Sequence, residues 1–140
     1  MRDLDDYLIQ YDNLPFEDIQ VKYRRKKVLE LLNELKPSSI LEIGCGYNPL
    51  FSDYRNFKSF AVVEPIRSFY ENAKVESKKD SRIKIYNKLL EESIDELINT
   101  NFDFIIASGI LHEVKDPVEF LRYIKKISSE ESKICIIVPN

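Results

Sequence analysis

No stretch of this chain is apolar for long enough to cross a membrane, which takes about 20 consecutive apolar residues. A basic surplus is missing as well: 21 Lys and Arg stand against 24 Asp and Glu, a net charge of -3. Nucleic-acid-binding surfaces usually show the opposite balance, so the default partner is a small molecule, with neither nucleic acid nor membrane expected. The opening residues, MRDLDDYLIQ, are acidic and interrupted by charges. That is not a secretory signal, and it points to the cytoplasm. Cysteine is nearly absent. Cys45 and Cys135 are too few for a secreted disulfide scaffold. Both fall on segments that read as the first and last strands of a sheet. In a doubly wound order those strands are not neighbours, and two strand spacings come to about 9 to 10 Å, beyond the reach of a disulfide. They are read as reduced thiols packing like small apolar residues. Repeats and low-complexity linkers are also lacking.

What is present is enough for one packed domain. The 140 residues are 44% hydrophobic and 32% charged with both signs mixed, a composition that folds. Short apolar runs alternate with helical periods. Residues 39–43 (SILEI), 59–63 (SFAVV), 83–86 (IKIY), 102–107 (FDFIIA) and 133–138 (KICIIV) read as strands, several apolar at consecutive positions as strands covered on both faces are. Between them lie helix starts. Asp116-Pro117-Val118-Glu119 offers a cap, a proline for the first turn and a capping-box glutamate; residues 68–71 (SFYE) and 93–96 (SIDE) fit the same box. Asn48-Pro49 is expected to cap a short helix. Upstream, residues 15–35 place Val28, Leu31, Leu32 and Leu35 on one helical face, and Pro37 stops that helix. This order predicts an α/β, Rossmann-like fold: a mostly parallel, doubly wound sheet of five strands with helices on both faces. Residues 1–37 form an N-terminal helical segment and residues 38–140 the core. Ligands in such sheets bind where the strands end.

The first strand runs into Glu42-Ile43-Gly44-Cys45-Gly46-Tyr47-Asn48. The glycines let the backbone turn sharply and approach a ligand. Glu64 ends the second strand, 20 residues after Gly44, where a carboxylate can accept both hydroxyls of a ribose. Dinucleotide sites share this layout but want a third glycine at position 49. Here it is Pro49, which has no N–H to offer a phosphate. S-adenosylmethionine (SAM) carries no phosphate. It carries a cationic sulfonium and an amino group, beside which the acid Glu42 has a use.

With these residues in place the chain resembles the class I SAM-dependent methyltransferases. LEIGCGYNP is similar to their first motif and VVEP to their second; FDFIIASGILHEVKDPVEFLRYIKKI resembles their fourth strand and following helix, and ICIIVPN their fifth strand. The resemblance spans residues 38–140. It implies that Glu42, Gly44 and Gly46 surround the methionine part of SAM, that Glu64 holds the ribose, and that Pro65 and Ile66 border the adenine. The third strand of the family usually ends in an acid or amide near the adenine; here Asn87, Lys88, Leu89 and Leu90 stand there, with Leu89 and Leu90 either adenine contacts or core. Asn48 replaces the third glycine of the first motif. The family also continues past the fifth strand into a hairpin, whereas this chain reaches Val138-Pro139-Asn140. It is expected to be a piece of a longer polypeptide or a reduced domain whose exposed fifth strand can self-associate.

On the acceptor side, Ser108, Gly109, Leu111 and His112 follow the fourth strand, beside the expected methyl group. His112, the only histidine, is a candidate catalytic base for an acceptor hydroxyl; otherwise it packs against neighbouring backbone. The Asn/Asp-Pro-Pro-aromatic motif of many exocyclic-amine methyltransferases is missing. The basic run Arg24-Arg25-Lys26-Lys27 is either a solvated face or a contact for the phosphates of an acidic acceptor. Tyr7, Tyr11 and Phe16 form either an acceptor lid or a staple for the helix. The expected function is methyl transfer from SAM to a small-molecule acceptor, at oxygen, by in-line displacement. The alternatives are a non-catalytic SAM- or nucleotide-binding module and an NAD-dependent oxidoreductase, the latter disfavoured by Pro49 and Glu42. No metal is expected.

Overall fold

In a computed structural model, residues 17–139 are described, together with Leu4, Asp5 and Ile9. The proposed lid residues Tyr7, Tyr11 and Phe16 lie outside the described residues, as does Asn140. Helix α1 (Glu17–Leu35) leads into β1 (Ser39–Ile43), then β2 (Ser59–Val63), α2 (Arg67–Ser77), β3 (Ile83–Tyr86), a short α3 (Ile94–Leu97), β4 (Phe104–Ser108), α4 (Pro117–Ile127) and β5 (Lys133–Ile137). The strands form one sheet in the order β3-β2-β1-β4-β5, every pair parallel. This is the expected doubly wound α/β architecture.

Consecutive apolar residues are explained by the two cores. Ile40, Phe60, Val62, Phe104 and Ile106 point to one face, where Val28 and Leu32 of α1 and Ala73 of α2 cover them. Leu41, Val63, Ile105 and Ala107 point to the other, under Ile94 and Leu97 of α3 and Phe120, Ile124 and Ile127 of α4. Each strand thus needs an apolar residue at every position, as a strand between two helical layers does. Helix α1 ends as expected: Lys36 turns to φ 49°, its N–H reaching the Leu32 carbonyl at 2.9 Å, and Pro37 follows. Leu35, assigned to the buried face, is 36% exposed instead, because the helix has already left the sheet there.

Three local expectations need correction. Ile66, not Ser68, precedes the first turn of α2, so the predicted box at residues 68–71 does not form. Ser93 precedes α3, but its hydroxyl donates back to the Leu89 carbonyl at 2.8 Å instead of capping the helix. After Pro49 there is only a single 3-10 turn (Leu50–Ser52), and its Leu50 N–H is capped at 2.9 Å by Glu42, not by Asn48. The fourth start is met in part. Asp116 accepts the Glu119 N–H at 3.0 Å with Pro117 in the first turn, while the Glu119 side chain pairs with Arg122. The cysteines are free thiols, as expected, although Cys45 sits just past β1 and not on it. Strand β4 begins two residues later than predicted, since Asp103 is drawn aside to accept from the Ser38 N–H and hydroxyl and the Ser39 N–H.

Strand β5 lies at the sheet edge beside β4, as predicted. Its apolar residues are only partly covered: Cys135, Ile136 and Ile137 are half-buried and Ile134 is 46% exposed. No helix among the described residues is long and apolar enough to cross a membrane.

Candidate functional site

The chain crosses from β1 to neighbours on opposite sides, β2 and β4, so a crevice opens at the carboxyl ends of these strands. A cleft occupies it, with about 1110 Å³ of empty space including its mouth, the upper range for small-molecule sites. Every binding residue expected from sequence lines this one cleft: Glu42, Gly44, Gly46, Glu64, Pro65, Ile66, Leu89, Leu90 and Ser108. His112 is not among the lining residues. Its Nε2 stands 3.0 Å from Oε1 of Glu113, which does line the cleft.

The loop after β1 is built on positive φ angles, 75° at Gly44 and 58° at Gly46, a region that disfavours side chains. At Gly44 space is also decisive: a Cβ would stand 2.5 Å from the Ile110 Cδ1, so the loops after β1 and β4 meet across this glycine. Glu64, buried at the end of β2, holds the loop in place. Its Oε2 accepts the N–H groups of Cys45 (2.9 Å) and Gly46 (3.2 Å), and its Oε1 accepts that of Ile66 (2.9 Å). Asn87, at the end of β3, fixes the next segment by donating to the Glu64 and Pro65 carbonyls at 2.9 and 3.1 Å. That is the role of the amide the sequence left open. Leu89 and Leu90 share both readings: each lines the cleft, and Leu90 is buried in the core beneath it.

The cleft floor is electrostatically unusual. Glu42 is buried, and desolvation pushes its carboxyl up to about 8, against the opposing pull of the Leu50 N–H and the Arg25 charge. Burial also raises the Glu64 carboxyl, opposed by its three backbone donors, and raises the neighbouring Cys45 thiol. Two buried carboxyl groups therefore sit beside a glycine loop whose amides are already spent on them.

Several lining residues carry no sequence motif. Arg25, within the basic run, is neither a solvated face nor free for phosphate. It donates to the carbonyls of Asn48 (2.6 Å) and Pro49 (3.1 Å) and to Asp53 (2.9 and 2.8 Å), tying α1 to the loop after β1. Arg24 pairs with Glu17 at 3.2 Å and lies against Gly109. Val21, Val28, Phe69, Ile110 and Phe120 add apolar wall. Their contribution depends on how helices pack over the strand ends, which no local spacing announces.

Comparison with known proteins agrees with this geometry. A family described as a methyltransferase domain matches residues 17–140. Among solved structures, the N-methyltransferase NodS from Bradyrhizobium japonicum WM9, in complex with S-adenosyl-L-homocysteine (SAH), superposes with a TM-score of 0.62 at 22% identity, over 84% of this chain and 58% of its own. The methyltransferase domain of bacterial CtHen1-CN gives 0.63 at 18% identity, over 84% and 65%. Coclaurine N-methyltransferase, bound to N-methylheliamine and SAH, gives 0.61 at 17%, over 88% and 37%. The chain therefore spans less than two thirds of the length of these neighbours. No curated protein matches its sequence.

Proposed function

The chain belongs to the methyltransferase-domain family, and from that premise we propose that its cleft binds SAM and delivers the methyl group to a small-molecule acceptor. One observation carries the choice of ligand. The amides that would cradle a pyrophosphate, those of Cys45, Gly46 and Leu50, are donated to the protein's own carboxyl groups, and residue 49 has no N–H. A floor of this kind suits a ligand with cations and no phosphate. It disfavours a dinucleotide and hence an NAD-dependent oxidoreductase.

In this site Glu42 faces the amino and sulfonium groups, while Gly44 and Gly46 admit the methionine chain. Glu64 accepts the ribose hydroxyls. A carboxylate offers about four acceptor positions, so it can hold the loop and the sugar together. Pro65, Ile66, Leu89 and Leu90 border the adenine, and Ser108 stands at the acceptor side. The sulfonium is already a good leaving group; the protein's task is to align the acceptor in line with the methyl and to exclude water. We assign oxygen as the acceptor atom, since the amine-methylating motif is missing from the sequence. A hydroxyl acceptor needs a base, and His112, against the cleft-lining Glu113, takes that part. Turnover of methyl-labelled SAM against hydroxyl and amine acceptors tests the assignment. Label on hydroxyl products only, lost in His112→Ala, is the expected result. Label on amines alone would reverse the acceptor, and SAM binding without turnover of any acceptor would favour a non-catalytic binding module.

A further inference from the structure

Charge in the cleft is one-sided. Among the described residues, Glu42, Glu64, Glu91 and Glu113 line it, against Arg24 and Arg25 as the only cations. The proposed cofactor carries two cations and one anion, the carboxylate of its methionine end. That carboxylate enters a site with four acids, so it needs a guanidinium that is not already spent. Arg25 is spent: Nε, NH1 and NH2 all donate, to Asp53 and to two backbone carbonyls. Arg24 is not. Of its five N–H donors, one is used among the described residues, from NH2 to Oε1 of Glu17 at 3.2 Å. Yet its side chain is only 16% exposed and that of Glu17 only 14%, so water cannot fully serve the rest. The guanidinium lies along the loop after β4, with its atoms 3.1 to 3.3 Å from the point a Cβ on Gly109 would occupy; Gly109, at φ 70°, leaves the room it fills.

We propose, resting on the SAM reading of the cleft, that Arg24 binds the cofactor's methionine carboxylate and that Glu17 is an internal stand-in for that carboxylate. A guanidinium pairs with a carboxylate through two parallel N–H donors, and one carboxylate can replace another on it without a change in net charge. Glu17 sits at the start of α1, where release returns it to water. The empty site is thereby spared an unpaired, half-buried cation. The cost is competition: Glu17 must be displaced before the ligand is fully held. Arg24 then selects for the amino-acid end of the ligand, separately from the nucleoside contacts of Glu64, Pro65 and Ile66.

Isothermal titration of the whole 140-residue chain with two probes tests this. SAH has the carboxylate; S-adenosyl-3-thiopropylamine keeps the nucleoside and the amine but lacks it. Loss of a charge-assisted pair predicts that Arg24→Gln weakens SAH by roughly ten- to a hundredfold, while the thiopropylamine is held as before. Arg24→Lys recovers part of the SAH affinity. Glu17→Gln removes the competitor and tightens SAH alone, a gain that a merely architectural ion pair would not give. Equal weakening of both probes by Arg24→Gln, or no weakening of either, overturns the proposal, as does weaker SAH binding in Glu17→Gln. If the unaltered chain binds the thiopropylamine but gains nothing from the carboxylate, the proposal fails while the SAM reading stands. If it binds neither probe, the SAM reading itself fails.

Discussion

At the scale of single residues, the account turns on two buried carboxyl groups. Glu42, with its carboxyl near pH 8 in the ligand-free site, is largely protonated at neutral pH and carries its charge only above that. A cationic ligand prefers the ionised form, so SAM affinity is predicted to rise with pH up to about 8 and then level off; Glu42→Gln removes the rise, which titration calorimetry across that range reads directly. The stability of the ligand-free fold runs the other way. Because the folded carboxyl is raised from 4.5, its contribution is whole below pH 4.5 and is lost as the pH climbs toward 8. Thermal melting of the ligand-free chain is expected to show that loss, and Glu42→Gln to flatten it. Glu64→Ala is predicted to weaken SAH by at least tenfold, since each charge-assisted hydrogen bond lost counts for about 1.5 to 3 kcal/mol. An unchanged dissociation constant in a folded Glu64→Ala protein would remove Glu64 from the site. Both acids were legible from sequence, because each stands at a fixed distance from the glycine turn. Their second task, consuming the amides of Cys45, Gly46 and Leu50, was not, since a hydrogen bond between a strand end and a loop leaves no trace in spacing.

At the scale of elements, strands were more legible than helix starts. A strand between two helical layers must be apolar throughout, and residues 39–43, 59–63 and 83–86 say so without ambiguity. A Ser-x-x-Glu spacing states only a local option. In α2 the option was overridden, because Glu64 draws the Ile66 N–H and so sets where the helix enters. The packing of α1 over the strand ends is tertiary and was read least well, and it places the two arginines. Arg25 is predicted to act as a structural clamp. Arg25→Met leaves the carbonyls of Asn48 and Pro49 without a donor and is expected to cost about 1 to 3 kcal/mol, with weaker SAH binding as the loop after β1 loosens. Denaturant unfolding measures the first effect. A variant as stable as the parent, with full affinity, would show that the loop holds its shape unaided.

The whole molecule presents its least protected surface along β5, an edge strand with Ile134 at 46% and Val138 at 49% exposure. Exposed apolar edges invite pairing. Sedimentation of the 140-residue chain over a dilution series is expected to show concentration-dependent association, reversed by Ile134→Lys. A monomer at every concentration would mean that this edge is tolerated in water. The central claim concerns the cleft where the two halves of the sheet meet, and one comparison tests it most directly: calorimetric titration of the unaltered chain with SAH and, separately, with NAD. A floor of buried carboxyl groups with its loop amides already committed predicts saturable binding of SAH at one site and no heat from NAD. Binding of NAD with no binding of SAH would contradict it.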